Sequence, residues 1–464
     1  MTRSTVYRFG GAVKAVLAVT LAVAPAALAQ ETSLTVYQDG RVMVRRALPL
    51  QVVRGASTFA IDLGGRAADP TSLVALDEGV EVRGVRVAAA LGLDGSLRRA
   101  VGRDLDFLLG GDSLRYVRGT VLSVEPMAVR VGGRVLFDLP GRPVFPDSLV
   151  QLAQRAEVTV EAARPARALR VAYLAQGLAW RAGYTVVVPR TGNGAATASG
   201  AAVIENPGAL ALGGAEVQLL AGDVRQAPVP RPGLRLQAGR VALPAAPMAE
   251  AAAVATEESV GESHVYTLPG TVDLVPGETR TVALFAQTSA PVERTLALRR
   301  PAFGHQRQWG VPEQDVHAEV AYLVRRPAGT PFGDVALPAG VVRVLLPDSA
   351  GRVQLLGEVP IQHTPAGREL RLATGTAFDV TAQRTQLTFE QRGRREVVVS
   401  YRVQIQNAKA DSVLVQVHDE FPGQWDVLSS TVQPERLSAS SVRFAVPVPA
   451  GGEGVLEYRV RIRW

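Results

Sequence analysis

Apolar and polar residues alternate with a period of two along most of this chain, and stretches of helical period are scarce. Leu34-Thr35-Val36-Tyr37 runs into Gln38-Asp39-Gly40, and Arg41-Val42-Met43-Val44-Arg45 returns, the pattern of a hairpin with an Asp-Gly turn. Residues 58–63 and 80–87 predict two further strands. Between 105 and 145 the apolar runs become short and closely spaced, at 114–117, 120–124, 127–131 and 134–139, with Gly132-Gly133 as a hairpin turn. That spacing predicts a small barrel-like module. Long strands return at 157–188, where Tyr173, Trp180 and Tyr184 fall on positions that a sheet buries. One strand closes in the turn Asn206-Pro207-Gly208, and another follows at 215–220. Strand signals resume at 264–268, 280–285, 316–324, 341–346 and 369–372. The last hundred residues alternate most cleanly, at 386–389, 397–405, 413–417, 442–446 and 455–464.

Turn signals at intervals of about 8–12 residues favour sandwiches. The fold expected is all-β, with tandem immunoglobulin-like β-sandwiches and a small inserted β-barrel-like module. A weak internal echo fits two similar sandwiches: Ala202-Val203-Ile204-Glu205-Asn206 and Arg402-Val403-Gln404-Ile405-Gln406-Asn407 are both strands closed by an asparagine turn. The expected division is a signal peptide at 1–29, an N-terminal β domain at 30–100, a small β module at 101–150, and sandwiches at 151–295 and 296–464. Residues 226–259 break the strand pattern with five prolines and an alanine-rich run, and read as a flexible surface loop with a helical turn or two in its second half.

The first 29 residues read as a targeting segment. Arg3, Arg8 and Lys14 form a basic leader, an apolar run follows, and Ala27-Leu28-Ala29 supplies small residues for cleavage before Gln30. The apolar run is shorter than the roughly 20 residues that span a bilayer, and no later stretch predicts a transmembrane helix. No cysteine occurs in the chain, so neither a lipid-anchored lipoprotein, nor disulfides, nor thiol chemistry is expected. Removing 29 of 464 residues leaves 435, enough for several domains. The predicted pI near 10.0 suggests a nucleic-acid binder, but without the three leader cations 47 basic residues face 43 acidic ones. The basic residues are dispersed, with short clusters such as Arg392, Arg394 and Arg395, and are almost all arginine; no nucleic-acid partner is expected.

Residues Tyr173, Gly177-Leu178, Trp180-Arg181-Ala182, Tyr184, Asn206 and Leu220-Ala221-Gly222-Asp223 together resemble the core signature of the bacterial domain-of-unknown-function 4139 family, some longer members of which are labelled mucoidy-inhibitor-like. The resemblance continues in Val265-Tyr266-Thr267-Leu268-Pro269, Val282-Ala283-Leu284-Phe285, Ala377-Phe378-Asp379-Val380-Thr381-Ala382, Asn407-Ala408-Lys409 and Val446-Pro447-Val448-Pro449-Ala450. It spans most of 150–464, and residues 34–45 fit the family's N-terminal hairpin. What it implies is an exported, β-rich bacterial protein with no assigned activity or catalytic residues. Longer relatives carry a heptad-rich coiled coil where this chain has its short-strand module, so the resemblance is to a short form.

Catalytic and metal-binding patterns are weak. His264, His305, His317, His363 and His418 show no paired spacing on a helix and no metalloprotease pattern, so no zinc site is expected. His418-Asp419-Glu420-Phe421 is the densest polar cluster and reads as a solvated turn at a strand end. Gly111-Asp112-Ser113-Leu114 spells a lipase tetrapeptide without the distant Asp-x-x-His that the chemistry requires, since Asp315-Val316-His317 is wrongly spaced. Trp180 with Tyr184, and Tyr266 with Phe285, read as core pairs, not a ligand groove. Asn206 and Asn407 read as structural turn residues. No catalytic residue, cofactor or metal is assigned.

The expected protein is a non-enzymatic, periplasmic or secreted envelope protein that works through contacts with another protein or an envelope polymer. The loop at 226–259 is a candidate contact segment. The sequence carries no signal for oligomeric state. Two rivals remain: an envelope hydrolase with a site that linear motifs do not show, and an outer-membrane β-barrel. The barrel is suggested by the last strand, where Leu456, Tyr458, Val460, Ile462 and Trp464 alternate with Glu457, Arg459, Arg461 and Arg463. Against it stand an aromatic content of 5% and many prolines.

Overall fold

A computed structural model describes residues 31–63, 68–87, 92–110, 115–150, 155–208, 212–225, 254–300, 305, 307–308 and 316–464. The signal peptide and the Gly-Asp-Ser-Leu tetrapeptide lie outside the described residues, as does 226–253 of the Pro/Ala-rich loop.

The first hairpin forms as its sequence dictates. Gly40 takes φ +90°, a conformation that its missing Cβ permits, and its amide donates to the Tyr37 carbonyl. The two strands, Thr32–Tyr37 and Arg41–Leu48, bury Leu34, Val36, Val42 and Val44 on one face. Thr32–Tyr37 also pairs in parallel with Leu212–Ala221, and Arg41–Leu48 pairs with Leu169–Gln176. A seven-stranded sheet results, ordered Thr256–Val260, Ser263–Leu274, Leu212–Ala221, Thr32–Tyr37, Arg41–Leu48, Leu169–Gln176, Ala68–Ala75. Residues 256–260, expected within the loop, are therefore its edge strand. Pairing with Ser263–Leu274 recruits them despite their Thr-Glu-Glu-Ser composition. A three-stranded sheet, Gly55–Asp62, Arg155–Ala162 and Val80–Val87, contributes Ile61, Val158 and Val160 to the same core.

The small module is inserted between two of those three strands, which pair with each other from Ala156↔Val87 onward. It is an open sheet of five strands, ordered Arg142–Val144, Asp104–Leu109, Arg115–Val124, Met127–Val131, Arg134–Leu136. It does not close into the expected barrel. The two outermost strands have only three residues each, and the helix Gly92–Arg99 covers one face instead. Leu97 and Ala100 close that face over Leu105, Phe107, Val121, Val129 and Leu149, a core separate from the rest of the molecule.

The largest sheet has thirteen strands. Its path runs Val353–Ile361, Gly340–Pro347, Ala179–Val187, Gly194–Glu205, Thr279–Arg300, Val316–Val324, Leu370–Gln391, Glu396–Asn407, Glu453–Arg463, Gln424–Ser430. Two 22-residue strands, Thr279–Arg300 and Leu370–Gln391, change partners along their length and run from the first core into the second. At the C-terminal end the sheet faces a second layer in which Val413–Glu420 pairs with the end of Thr279–Arg300 and with Ser441–Val448, which pairs with Pro434–Arg436. The two layers enclose Val399, Tyr401, Ile405, Val415, Phe421, Phe444, Leu456, Tyr458 and Val460. Among the described residues the sheets are sandwich layers and none closes into a barrel.

The alternation of the last strand now has a physical account. Leu456, Tyr458, Val460 and Ile462 point into the sandwich core. The intervening charges form a ladder on the outer face: Arg459 meets Glu390 at 2.6 Å, Arg461 meets Asp426 at 2.7 Å, Arg463 meets Glu396 at 2.7 Å, and Glu457 accepts from Arg402 at 2.6 Å. A strand in a membrane barrel turns one face to lipid; this strand has one face in protein and the other in ion pairs.

The aromatic signature binds the first core to its loops. Tyr173 donates to the Leu63 carbonyl, Tyr184 to that of Pro338, and Tyr266 to that of Ala336, at 3.0, 2.8 and 2.7 Å. Trp180 packs against Tyr266, and Tyr184 stacks on Phe285, which touches Phe332. The packing leaves no volume at Gly200: a Cβ there would lie 2.3 Å from Phe285 Cε1 and 2.9 Å from Tyr184 Cδ1. Gly200→Val is therefore expected to cost about 3 kcal/mol by overpacking, read as a lower urea midpoint. Gly183→Ala, on the neighbouring strand with nothing within 4 Å, is the control and is expected to stay within about 0.5 kcal/mol of the parent.

Candidate functional site

The five-stranded sheet has one face under its helix and the other free of any described element. Strand pairing sets that outer face in rows. Arg142, Leu108 and Tyr116 lie side by side, then Val144, Asp106 and Arg118, then Asp104, Thr120, Arg130 and Val135. Alternation decides the composition: Val117, Gly119 and Val121 turn inward from Arg115–Val124, so Tyr116, Arg118 and Thr120 turn outward. Tyr116, near the start of Arg115–Val124, is 64% exposed, where a tyrosine on a sheet is ordinarily more covered. Arg118 pairs with Asp106 at 3.1 Å, which offsets that charge, and Thr120 donates to Asp104 at 2.7 Å, which leaves Asp104 a carboxylate on the face. Arg130 and Arg142 have no ion-pair partner among the described residues. Phe137, after the strand Arg134–Leu136, is 77% exposed. The face thus offers an exposed aromatic ring with guanidinium groups in its own and the neighbouring rows of an open sheet.

The second concentration of polar groups is sealed inside the C-terminal sandwich. Asp419 is fully buried, and the expectation of a solvated turn at His418-Asp419-Glu420-Phe421 is overturned. The strand Val413–Glu420 continues through it, and the period that buries Val413, Val415 and Val417 carries Asp419 and Phe421 inward as well. Asp419 Oδ2 accepts from Arg384 Nη2 at 2.5 Å and from the Tyr458 hydroxyl, and Arg384 Nη2 also reaches that hydroxyl at 2.9 Å. Burial would push the Asp419 carboxyl up, but the Arg384 charge and the hydrogen bonds from Arg384 and Tyr458 hold it below the usual carboxylate range. The Arg384 guanidinium lies 5.1 Å from the centre of the Tyr401 ring. His305, also fully buried, bonds through Nδ1 to the Tyr401 hydroxyl at 2.9 Å and meets Phe421 edge to face at 5.0 Å. The cluster is almost wholly buried and ties the two layers of the sandwich together.

The structure does not gather the remaining histidines into one site. His264 lies 2.8 Å from Glu257 at the edge of the seven-stranded sheet, without good hydrogen-bond geometry. His317 Nδ1 meets the Ala377 carbonyl at 2.9 Å, and His363 accepts from the Ala339 amide at 3.2 Å. His418 points away from the sandwich core towards Gln416; burial and then Arg299, Arg443 and Arg371 hold its pKa down to about 4, against the pull of Asp419. Among the described residues no three His, Asp or Glu side chains are placed to hold a metal ion. Trp180, Tyr184, Tyr266 and Phe285 are core, as their alternation indicates. Asn407 donates to the carbonyls of Asp411 and Pro449, both at 2.9 Å, and ties two turns together. An open hollow of ≈ 350 Å³ is lined by Tyr37, Gln38, Asp39, Gly222, Asp223, Val224 and Arg225, the last of which directly precedes the undescribed part of the loop.

The outer face of the small sheet was absent from the sequence-based candidates. A signal existed: in Arg115–Val124 the polar positions of the alternation include a tyrosine, which a purely solvated face has no reason to carry. No family model and no curated protein matches this chain.

Proposed function

We propose that this chain is an exported cell-envelope protein that works by binding, and that the outer face of its five-stranded sheet engages an anionic envelope polymer. The observation that carries this reading is Tyr116, exposed in the same row of that face as Arg142 and one row from Arg118. A tyrosine ring stacks on the apolar face of a sugar, and guanidinium groups bind carboxylate, sulfate or phosphate oxygens in pairs. The face belongs to an open sheet. Small ligands require concave sites, whereas an extended chain can lie across a sheet. The basic leader with Ala27-Leu28-Ala29 supports export with cleavage before Gln30, and hence a periplasmic or secreted protein. The residues quoted above support membership in the domain-of-unknown-function 4139 family, in a form without the coiled coil. The ion-pair ladder on the last strand favours a sandwich protein over an outer-membrane barrel, and the sealed Asp419 cluster favours binding over hydrolysis.

Dextran sulfate and neutral dextran separate the two ingredients of the face, since they share a backbone and differ in charge. In calorimetric titration at about 0.1 M salt, where a Debye length is about 10 Å, dextran sulfate is expected to bind and neutral dextran to bind much more weakly. Tyr116→Ala and Arg142→Glu are each expected to weaken binding by about tenfold, or about 1.4 kcal/mol. Binding that neither substitution changes would place the contact elsewhere, and no binding of either polymer would remove the polymer reading.

A further inference from the structure

The buried cluster of the C-terminal sandwich contains one group whose ionisation its surroundings oppose, and this goes beyond the binding reading above. We propose that His305 is an acid-sensitive latch of the C-terminal sandwich: its neutral imidazole seats against Tyr401 and Phe421, and its protonated form leaves that seat and loosens the layer built on Val413–Glu420.

Geometry makes the argument. The imidazole is wholly buried, and two aromatic rings grip it edge-on, Tyr401 at 5.5 Å and Phe421 at 5.0 Å between centroids. Its one formed hydrogen bond is from Nδ1 to the Tyr401 hydroxyl, and Nε2 has no partner among the described residues. The charged groups that face it come from three strands. Arg300 ends Thr279–Arg300 and lies over the Tyr401 ring, and Arg384 comes from Leu370–Gln391. Asp419 comes from Val413–Glu420, whose Glu420 backbone also lies close enough to favour a charged ring. Tyr401 of Glu396–Asn407 and Tyr458 of Glu453–Arg463 complete the surroundings with neutral hydroxyls. An imidazolium would therefore sit beside the Arg384 cation, and the Asp419 carboxylate that could balance it is already committed to Arg384 and Tyr458. A buried cation without its own counter-charge is unstable.

The pKa of His305 follows the same balance: burial is the largest cause, Arg384 and Arg300 add to it, Asp419 opposes them, and the result is about 4. An exposed imidazole titrates near 6.5. The open form therefore binds more protons than the seated form between pH about 6.5 and about 4, and the seat loses stability as pH falls through that window. Asp419, held below the usual carboxylate range, stays ionised across it and contributes no opening there. His418, held down to about 4 as well, adds its own loss of stability across the same window, so His418→Gln is the background in which His305 is read.

Hydrogen–deuterium exchange on the full chain, read by mass spectrometry, tests this at two kinds of position. In His418→Gln, amide protection in Val413–Glu420 is expected to fall about 30-fold between pH 7.5 and pH 5, after correction for intrinsic rates, as the linkage of one 6.5-to-4 shift requires. Exchange at the imidazole C2 position of His305 is expected to titrate near pH 4. Adding His305→Phe to that background keeps the ring packing and removes the remaining titration, so protection should then change less than about threefold. Should His305→Phe fail to fold, the C2 titration of the parent still decides. An equal fall in the double variant, no fall in His418→Gln, or a His305 titration near 6.5 would each overturn the latch.

Discussion

Asp419→Asn is expected to destabilise the C-terminal sandwich by about 3–5 kcal/mol, because it leaves the Arg384 cation buried with no counter-charge. The cost arises less from the lost attraction than from the orphaned charge. Arg384 and Asp419 are both within the core, and Arg384 has only the Tyr458 hydroxyl and the Tyr401 and Tyr458 rings to fall back on. Urea unfolding followed by Trp425 fluorescence reports on this layer, since Trp425 packs against Phe421. The paired replacement Arg384→Met with Asp419→Leu is expected to recover most of the loss, since a buried ion pair exchanged for apolar residues of similar volume is often neutral or stabilising. Recovery would show that the pair serves to specify which layers meet, and that stability alone does not require it. If the double variant lost as much as the single one, the hydrogen bond between Tyr458 and Asp419 would be the essential contact and the Arg384 pairing secondary.

The same residues show where the sequence could be read and where it could not. Period-2 alternation located the first hairpin, the strands of the aromatic signature and the last strand, because each has one face in a core and the other in solvent or ion pairs. Applied one step further, it also places Asp419: Val413, Val415, Val417, Asp419 and Phe421 share one face, so a carboxylate sits at an inward position. Arg384 behaves likewise, following Val380 and Ala382 inward along Leu370–Gln391. Two charges at inward positions on different strands can pair, but which strands meet is a property of topology that no local pattern contains. Thr256–Val260 was hidden for a related reason, since its polar residues hold an edge position that one partner strand imposes. The barrel-like expectation for the small module failed on the lengths of Arg134–Leu136 and Arg142–Val144, too short to meet across the opening. Tyr116 was passed over because an exposed aromatic on an alternating strand looks like any other member of the pattern until the opposite face proves to be covered.

Arg326→Met is expected to cost about 3–5 kcal/mol in the first core, through a different mechanism. Arg326 is buried and makes no ion pair among the described residues; it donates to backbone carbonyls instead, from Nε to Phe332 at 2.9 Å, from Nη1 to Pro365 at 2.8 Å, and from Nη2 to Val335. Its guanidinium lies 5.0 Å from the centre of the Phe332 ring. These bonds hold the segment containing the short helix Pro331–Asp334, on whose far side Tyr266 and Tyr184 bind the carbonyls of Ala336 and Pro338. Burial lowers the pKa of this guanidinium from its usual value, and Tyr184, Glu257 and Tyr266 only partly oppose the shift, so the cation is retained for its fork of donors and not for a charge partner. Methionine fills a similar volume and leaves those carbonyls without donors, each a loss of about 1–3 kcal/mol where water cannot enter. Lysine keeps the charge but cannot span three carbonyls on separate segments, so Arg326→Lys is expected to recover less than half of the loss. Urea unfolding followed through Trp180, which lies in this core against Tyr266, should show both losses, and limited proteolysis should cut first near Pro331–Asp334. A loss below about 1 kcal/mol in Arg326→Met would mean that water replaces the guanidinium, and the segment would then be held by its two tyrosines alone.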